Sequence, residues 1–221
     1  MTRVVTHGVP AVLAATLLAA CSGQSPLQPG SVAGIGTSPQ ASSLAASAST
    51  AQAADHDTVQ VHVFPDGPVV PGASSTLVRS AGGVSIRLST LGLAPGAYTT
   101  WWVIFDDPSQ CVGGCGLDDL VNGPLDVATG LFATGHVVGN NGKANFAAHL
   151  SVGDLSGLDP TAPGVFAGPG LLHPFEAEVH LVIRYHGPVI PGRVADQTKA
   201  FAGGCDAFAC GNVQAAAHPV N

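Results

Sequence analysis

FEAEVHLVIRYH, residues 175–186, carries the clearest period-two pattern in the chain. Ala177, Val179, Leu181, Ile183 and Tyr185 alternate with Glu176, Glu178, His180, Arg184 and His186, and Val182 is the one apolar residue in the polar series. Successive side chains of a strand point to opposite faces, so this alternation predicts a strand with one face in a core. The same reading extends outward to residues 58–64 (TVQVHVF) and 84–90, while residues 98–105 (YTTWWVIF) are apolar almost throughout and predict a central strand covered on both faces. Residues 131–138 and 144–152 flank Gly-Asn-Asn-Gly at 139–142, and Asn-Gly between alternating runs predicts a hairpin turn. Residues 213–218 close the set.

Composition agrees. Gly (29) and Pro (17) are abundant and charged residues make up only 10%, so short strands joined by tight turns are favoured over helices. Seven to nine strands, with long loops at 106–126, 153–174 and 187–211, predict a single antiparallel β-sandwich of immunoglobulin-like type over residues 55–221. Two segments echo each other, GPVVPG at 67–72 and GPVIPG at 187–192, each following a strand that contains Val-His. Equivalent strand ends reusing one punctuation account for this, as would an ancient duplication.

The chain resembles a set of uncharacterised secreted bacterial proteins in three places: LGLAPGAYTTWW at 91–102, FAAH at 146–149 and AEVHLVIRYHG at 177–187. It is similar also to chordin-type (CHRD) domains, although it lacks an Ala-His-Ile-His motif. The resemblance covers most of residues 58–218 and implies an extracellular β-sandwich without implying an activity.

Ahead of the domain lie an address and a tether. Residues 1–20 hold Arg3 as their sole charge and a short apolar run, fitting a signal peptide and falling short of the roughly 20 residues that a spanning helix needs. Leu18-Ala19-Ala20-Cys21 resembles a bacterial lipobox, which implies cleavage before Cys21 and acylation of its thiol. Ser22 is not the aspartate that favours inner-membrane retention, so the outer membrane is the expected destination where the organism has one. Residues 22–54 hold no charge and no aromatic ring and predict a flexible linker spanning roughly 30 Å. The expected partner is the membrane through this anchor, with an unidentified ligand in or beyond the cell envelope. A net charge of −7 repels nucleic acid and excludes that class of partner.

Four further cysteines lie in two Gly-rich loops, Cys111 with Cys115 and Cys205 with Cys210. In an exported domain they predict two disulfides. Pairing within each loop is favoured because each loop needs stiffening, with cross-pairing and a four-cysteine zinc site as alternatives.

Eight of the nine histidines fall between His56 and His218. If the 139–142 turn pairs its flanking strands, His136 and His149 share a face, and His180 with Glu178 could join them from a neighbouring strand. Imidazoles with a carboxylate suit zinc or copper. The simpler reading is a solvated sheet face with cross-strand pairs. Asp106, Asp107, Asp118, Asp119 and Asp126 surround the first cysteine pair and could gather calcium. One of Trp101 and Trp102 must enter the core, and the other could offer an aromatic platform. No Gly-x-Ser-x-Gly, HExxH or phosphate-binding loop is present, and Glu176 and Glu178 share one face instead of flanking a bond. The leading expectation is a non-enzymatic binding or structural module of the cell envelope. A histidine-based metal-binding lipoprotein stands second and a hydrolase third.

Overall fold

The computed structural model describes residues 53–121, 127–162 and 168–220. The signal peptide, Cys21 and most of the tether lie outside these residues, as does Asp126.

Eight antiparallel strands form one sheet: β1 (Asp55–Val63), β2 (Val69–Ser80), β3 (Gly83–Thr90), β4 (Gly96–Phe105), β5 (Thr129–Val138), β6 (Ala144–Ser151), β7 (Glu178–Tyr185) and β8 (Gly211–His218). Two short helices, α1 (Leu117–Val121) and α2 (Val194–Gln197), lie in the loops. Strand order is β5-β4-β7-β8-β1-β2-β3-β6. Where the sequence suggested two stacked sheets, the hydrogen-bond ladder runs unbroken through all eight strands. The sheet curls until its outer strands, β5 and β6, lie side by side, giving a nearly closed barrel. The twist of each strand on its neighbour accumulates in one sense and bends a long sheet round on itself.

The 139–142 turn is present, with the Gly142 amide on the Gly139 carbonyl and Gly142 at φ +65°, a left-handed conformation that glycine adopts without steric cost. Its strands do not pair through a ladder, however. β5 pairs with β4 and β6 pairs with β3, and the seam between them is bridged by side chains such as His136 against Phe146, ring centroids 5.8 Å apart.

Inside the barrel, alternate residues of every strand build the main core: Val61, Leu77, Ile86, Trp102, Phe146 and Leu181 are among its members. β2 is the strand that the alternation reading leaves out. Pro71-Gly72 and a serine pair disguise it, and Pro71 sits where the β1–β2 register slips, a place that tolerates a missing N–H.

All ten residues of β4 are buried. The barrel interior covers Trp102 and Ile104, while two loops fold back over the outer side. One is the 106–121 segment, whose Leu120 packs with Val103, Phe105, Val127 and Ala128. The other is the 186–210 segment, whose Phe201 meets the edge of Trp101 at 5.3 Å. Disulfides Cys111–Cys115 and Cys205–Cys210 close one loop each, so pairing is local. Both tryptophans are buried, and neither presents a platform to solvent.

Candidate functional site

A cleft of about 930 Å³ lies between the outer face of β4-β7-β8-β1 and the first disulfide loop. Register explains its floor. Val103 pairs with His180 and His180 with Ala217, while Val182 pairs with Ala215 and Ala215 with His62. Small alanines on β8 leave room where larger side chains would fill it. Phe105 borders the floor at one end, and residues 114–121 form the roof.

Polar groups stand at the edges. His180 Nε2 lies 2.6 Å from Glu178 Oε1, and its ring meets Phe105 edge-on at 5.1 Å. His62 Nδ1 is 3.2 Å from the Gly67 carbonyl. Asp119 accepts from the amides of Val112 and Gly116, fixing the roof. Asp66, Asp118, Asp119 and Glu178 line the cleft, and among the described residues no Lys or Arg does. An apolar floor rimmed by carboxylates and imidazoles suits a ligand with an apolar body and a donor or cationic end.

A second polar cluster fills the barrel interior near the chain's C-terminal end. His218 Nδ1 is 2.7 Å from Asp57 Oδ2, and its Nε2 is 2.9 Å from Ser75 Oγ. Arg79 Nη1 donates to the carbonyls of Pro174 and Ala177, and Nη2 to those of His218 and Pro219. Burial pulls the His218 pKa down, opposed by the bond to Asp57. Burial also lowers that of Arg79, opposed by Asp57, Asp55 and Glu178. Asp57, His218 and Ser75 have the connectivity of a nucleophilic relay, but Ser75 and His218 are wholly buried and border no part of the cleft. A substrate carbonyl cannot reach that hydroxyl, so the cluster ties β1, β2 and β8 together.

The sequence-derived sites fare unequally. His180 and Glu178 come together at the cleft. His136 instead packs on Phe146, and His149 Nδ1 lies 2.9 Å from Ser85 Oγ on a different edge strand. Among the described residues, the one group of three or more His, Cys, Asp or Glu with ligand atoms mutually within 4.8 Å is His186, Cys205 and Cys210, so the four-residue set does not converge. Of the aspartates, Asp118 and Asp119 stand together at the cleft, whereas Asp106 and Asp107 are engaged elsewhere. Asp106 accepts from the Leu172 and His173 amides and the His173 ring, raising the His173 pKa, and Asp107 caps the turn at 108–110. Sequence reasoning missed His62, the Asp57–His218–Ser75 network and the His186 environment. His62 and His218 do fall in alternating runs, but alternation alone does not say which strand will lie alongside. No protein-family model matches the chain, and no curated protein matches it.

Proposed function

We propose that this chain is an exported lipoprotein whose β-barrel domain is a non-enzymatic binding module of the cell envelope, with the cleft over β4-β7-β8-β1 as its ligand site. The cleft carries this reading, because a shaped apolar floor with a few polar groups at its rim is the usual form of a small-ligand site. The lipobox-like Leu18–Cys21 segment and the uncharged tether support the location. Seclusion of Ser75 weighs against hydrolysis at the interior relay. Charge selects the ligand class: four carboxylates with no Lys or Arg among the described lining residues favour an aliphatic amine over an aliphatic acid.

The test compares alkylamines with alkylcarboxylates of equal length by thermal shift and calorimetry on the purified chain. Amines should bind and acids should not, and Ala217→Trp, which fills the floor, should abolish binding while leaving the β-sheet spectrum intact. Equal binding of both classes, or full binding by Ala217→Trp, would remove the cleft from the account.

A further inference from the structure

The second disulfide differs from the first in having a buried imidazole against both sulfurs. His186 Nδ1 lies 3.9 Å from Cys205 Sγ and 3.7 Å from Cys210 Sγ, and the ring is wholly buried. Its orientation is set from the other side. Nε2 is 2.7 Å from Thr99 Oγ1, which also accepts from Trp101 Nε1 at 2.7 Å. On the sulfur side, Nδ1–H donates to the Gly203 carbonyl at 2.8 Å, at the start of the loop that carries both cysteines.

From this geometry we propose that Cys205, Cys210 and His186 form a redox-gated site for a thiophilic d¹⁰ cation, Zn²⁺ or Cu⁺, closed as a disulfide and opened by a dithiol reductant. Opening is a two-electron exchange. The dithiol passes two electrons and two protons to the Cys205–Cys210 bond and becomes a disulfide itself. Metal binding then releases the two thiol protons. In the disulfide form the ring proton sits on Nδ1, donated to the Gly203 carbonyl, and Thr99 Oγ1 donates to Nε2; ligation through Nδ1 moves the proton to Nε2, where Thr99 Oγ1 becomes its acceptor. A hydrogen bond from the far ring nitrogen is the usual support of a metal-bound histidine, and here it already exists as a contact.

Distances fit without moving the ring. Metal–sulfur bonds of about 2.3 Å and metal–nitrogen bonds of about 2.0–2.1 Å at tetrahedral to trigonal angles put sulfur and nitrogen about 3.5–3.8 Å apart. Of the two observed separations, 3.7 Å falls inside that window and 3.9 Å lies about 0.1 Å beyond it. The sulfurs must part and the Gly203 carbonyl must turn away from Nδ1, both within a loop that begins at Gly203-Gly204 and ends at Gly211. Both cysteines are half-buried rather than sealed, which gives a reductant access. Burial lowers the His186 pKa, leaving the imidazole neutral and able to ligate at neutral pH.

The test uses the full chain carrying Cys111→Ser and Cys115→Ser, so that one disulfide remains. It is titrated with Co²⁺ before and after reduction by a non-chelating phosphine. Reduced protein should bind one equivalent with a thiolate-to-cobalt charge-transfer band, and Zn²⁺ or Cu⁺ should displace it. Oxidised protein should show no band. Cys210→Ser should abolish the band. Thr99→Val, which keeps all three ligands, should weaken binding at least about tenfold. His186→Gln should weaken it further, with circular dichroism confirming that each variant is folded. The proposal is overturned if reduced protein takes up no Co²⁺, if the oxidised form binds equally, if His186→Gln and Thr99→Val bind like the parent, or if reduction itself unfolds the barrel.

Discussion

Arg79 shows how much one side chain can hold in a barrel with few charges. Its guanidinium spans four carbonyls, from Pro174 and Ala177 in the loop before β7 and from His218 and Pro219 at the end of β8. No apolar residue can replace those donors, and removing the cation also leaves Asp57 in a buried setting with less positive charge. Arg79→Met should therefore cost about 3–5 kcal/mol, the range seen when one partner of a buried charged network is deleted. Adding Asp57→Asn should return part of the loss. Urea midpoints would check both, and a single-variant loss below about 1 kcal/mol would mean that solvent reaches this end of the barrel. His218 and His186 make a second residue-scale prediction. Burial holds both folded pKa values below the ordinary 6.5, so as pH falls below 6.5 the unfolded chain takes up protons first. Their stability contribution is complete above 6.5 and is lost as pH drops toward the depressed values. His173 runs the other way, stabilising below 6.5 and losing that as pH rises through its elevated pKa, but it is exposed and solvent-screened. Urea midpoints should thus fall from about pH 7.5 to about pH 5, and His218→Gln should flatten the slope.

At the scale of elements, each loop disulfide is a local staple over one side of β4. Closing loops of five or six residues corresponds to about 2 kcal/mol on the chain-entropy model. Cys111→Ser with Cys115→Ser should cost about that much and loosen the cleft roof, seen as faster amide exchange at residues 112–121 with β4 still protected. Equal loss of protection along β4 would instead make the loop part of the folding core. Close packing of the other loop sets a further test. A Cβ at Gly135 of β5 would overlap the Thr198 carbonyl just beyond α2, so Gly135→Ala must push that segment away and expose Trp101, shifting its fluorescence to the red. These elements were unequally legible in the sequence. Period-two runs located six strands, because Val, Ile and aromatic residues alternate there with polar ones, and the continuous apolar run at 98–105 located β4. β2 escaped because Pro71-Gly72 reads as a terminator until a bulge supplies the setting in which it is tolerated. The seam misled the site prediction: residues flanking an Asn-Gly turn are expected to pair, but β5 and β6 each pair with another strand. His136 and His149 consequently part. His180 and Glu178 stay together because two residues on one strand share a face whatever lies beside it.

For the whole molecule, the question is where a barrel with so little charge remains in solution near a membrane. No helix among the described residues is long and apolar enough to cross a bilayer, and on the proposed reading the lipid on Cys21 supplies the attachment. On that reading, loss of residues 1–20 would remove Arg3 and take the net charge from −7 to −8. A domain of that sign gains nothing from anionic headgroups, and an uncharged linker offers no polybasic second signal. On the proposed reading the anchor is hydrophobic. At about 0.8 kcal/mol per buried CH₂, one acyl chain holds only marginally, whereas a diacylglyceryl thioether holds firmly. Cys21→Ala should therefore move the protein completely from the membrane fraction to the soluble one, and raising salt should not detach the parent chain. Partial release by salt would point to an electrostatic contact that this composition does not supply. Retention of Cys21→Ala in the membrane would shift the attachment to the barrel or its ligand. Adding the cleft-filling Ala217→Trp then separates those two, because release in the double variant alone would place a membrane component in the cleft.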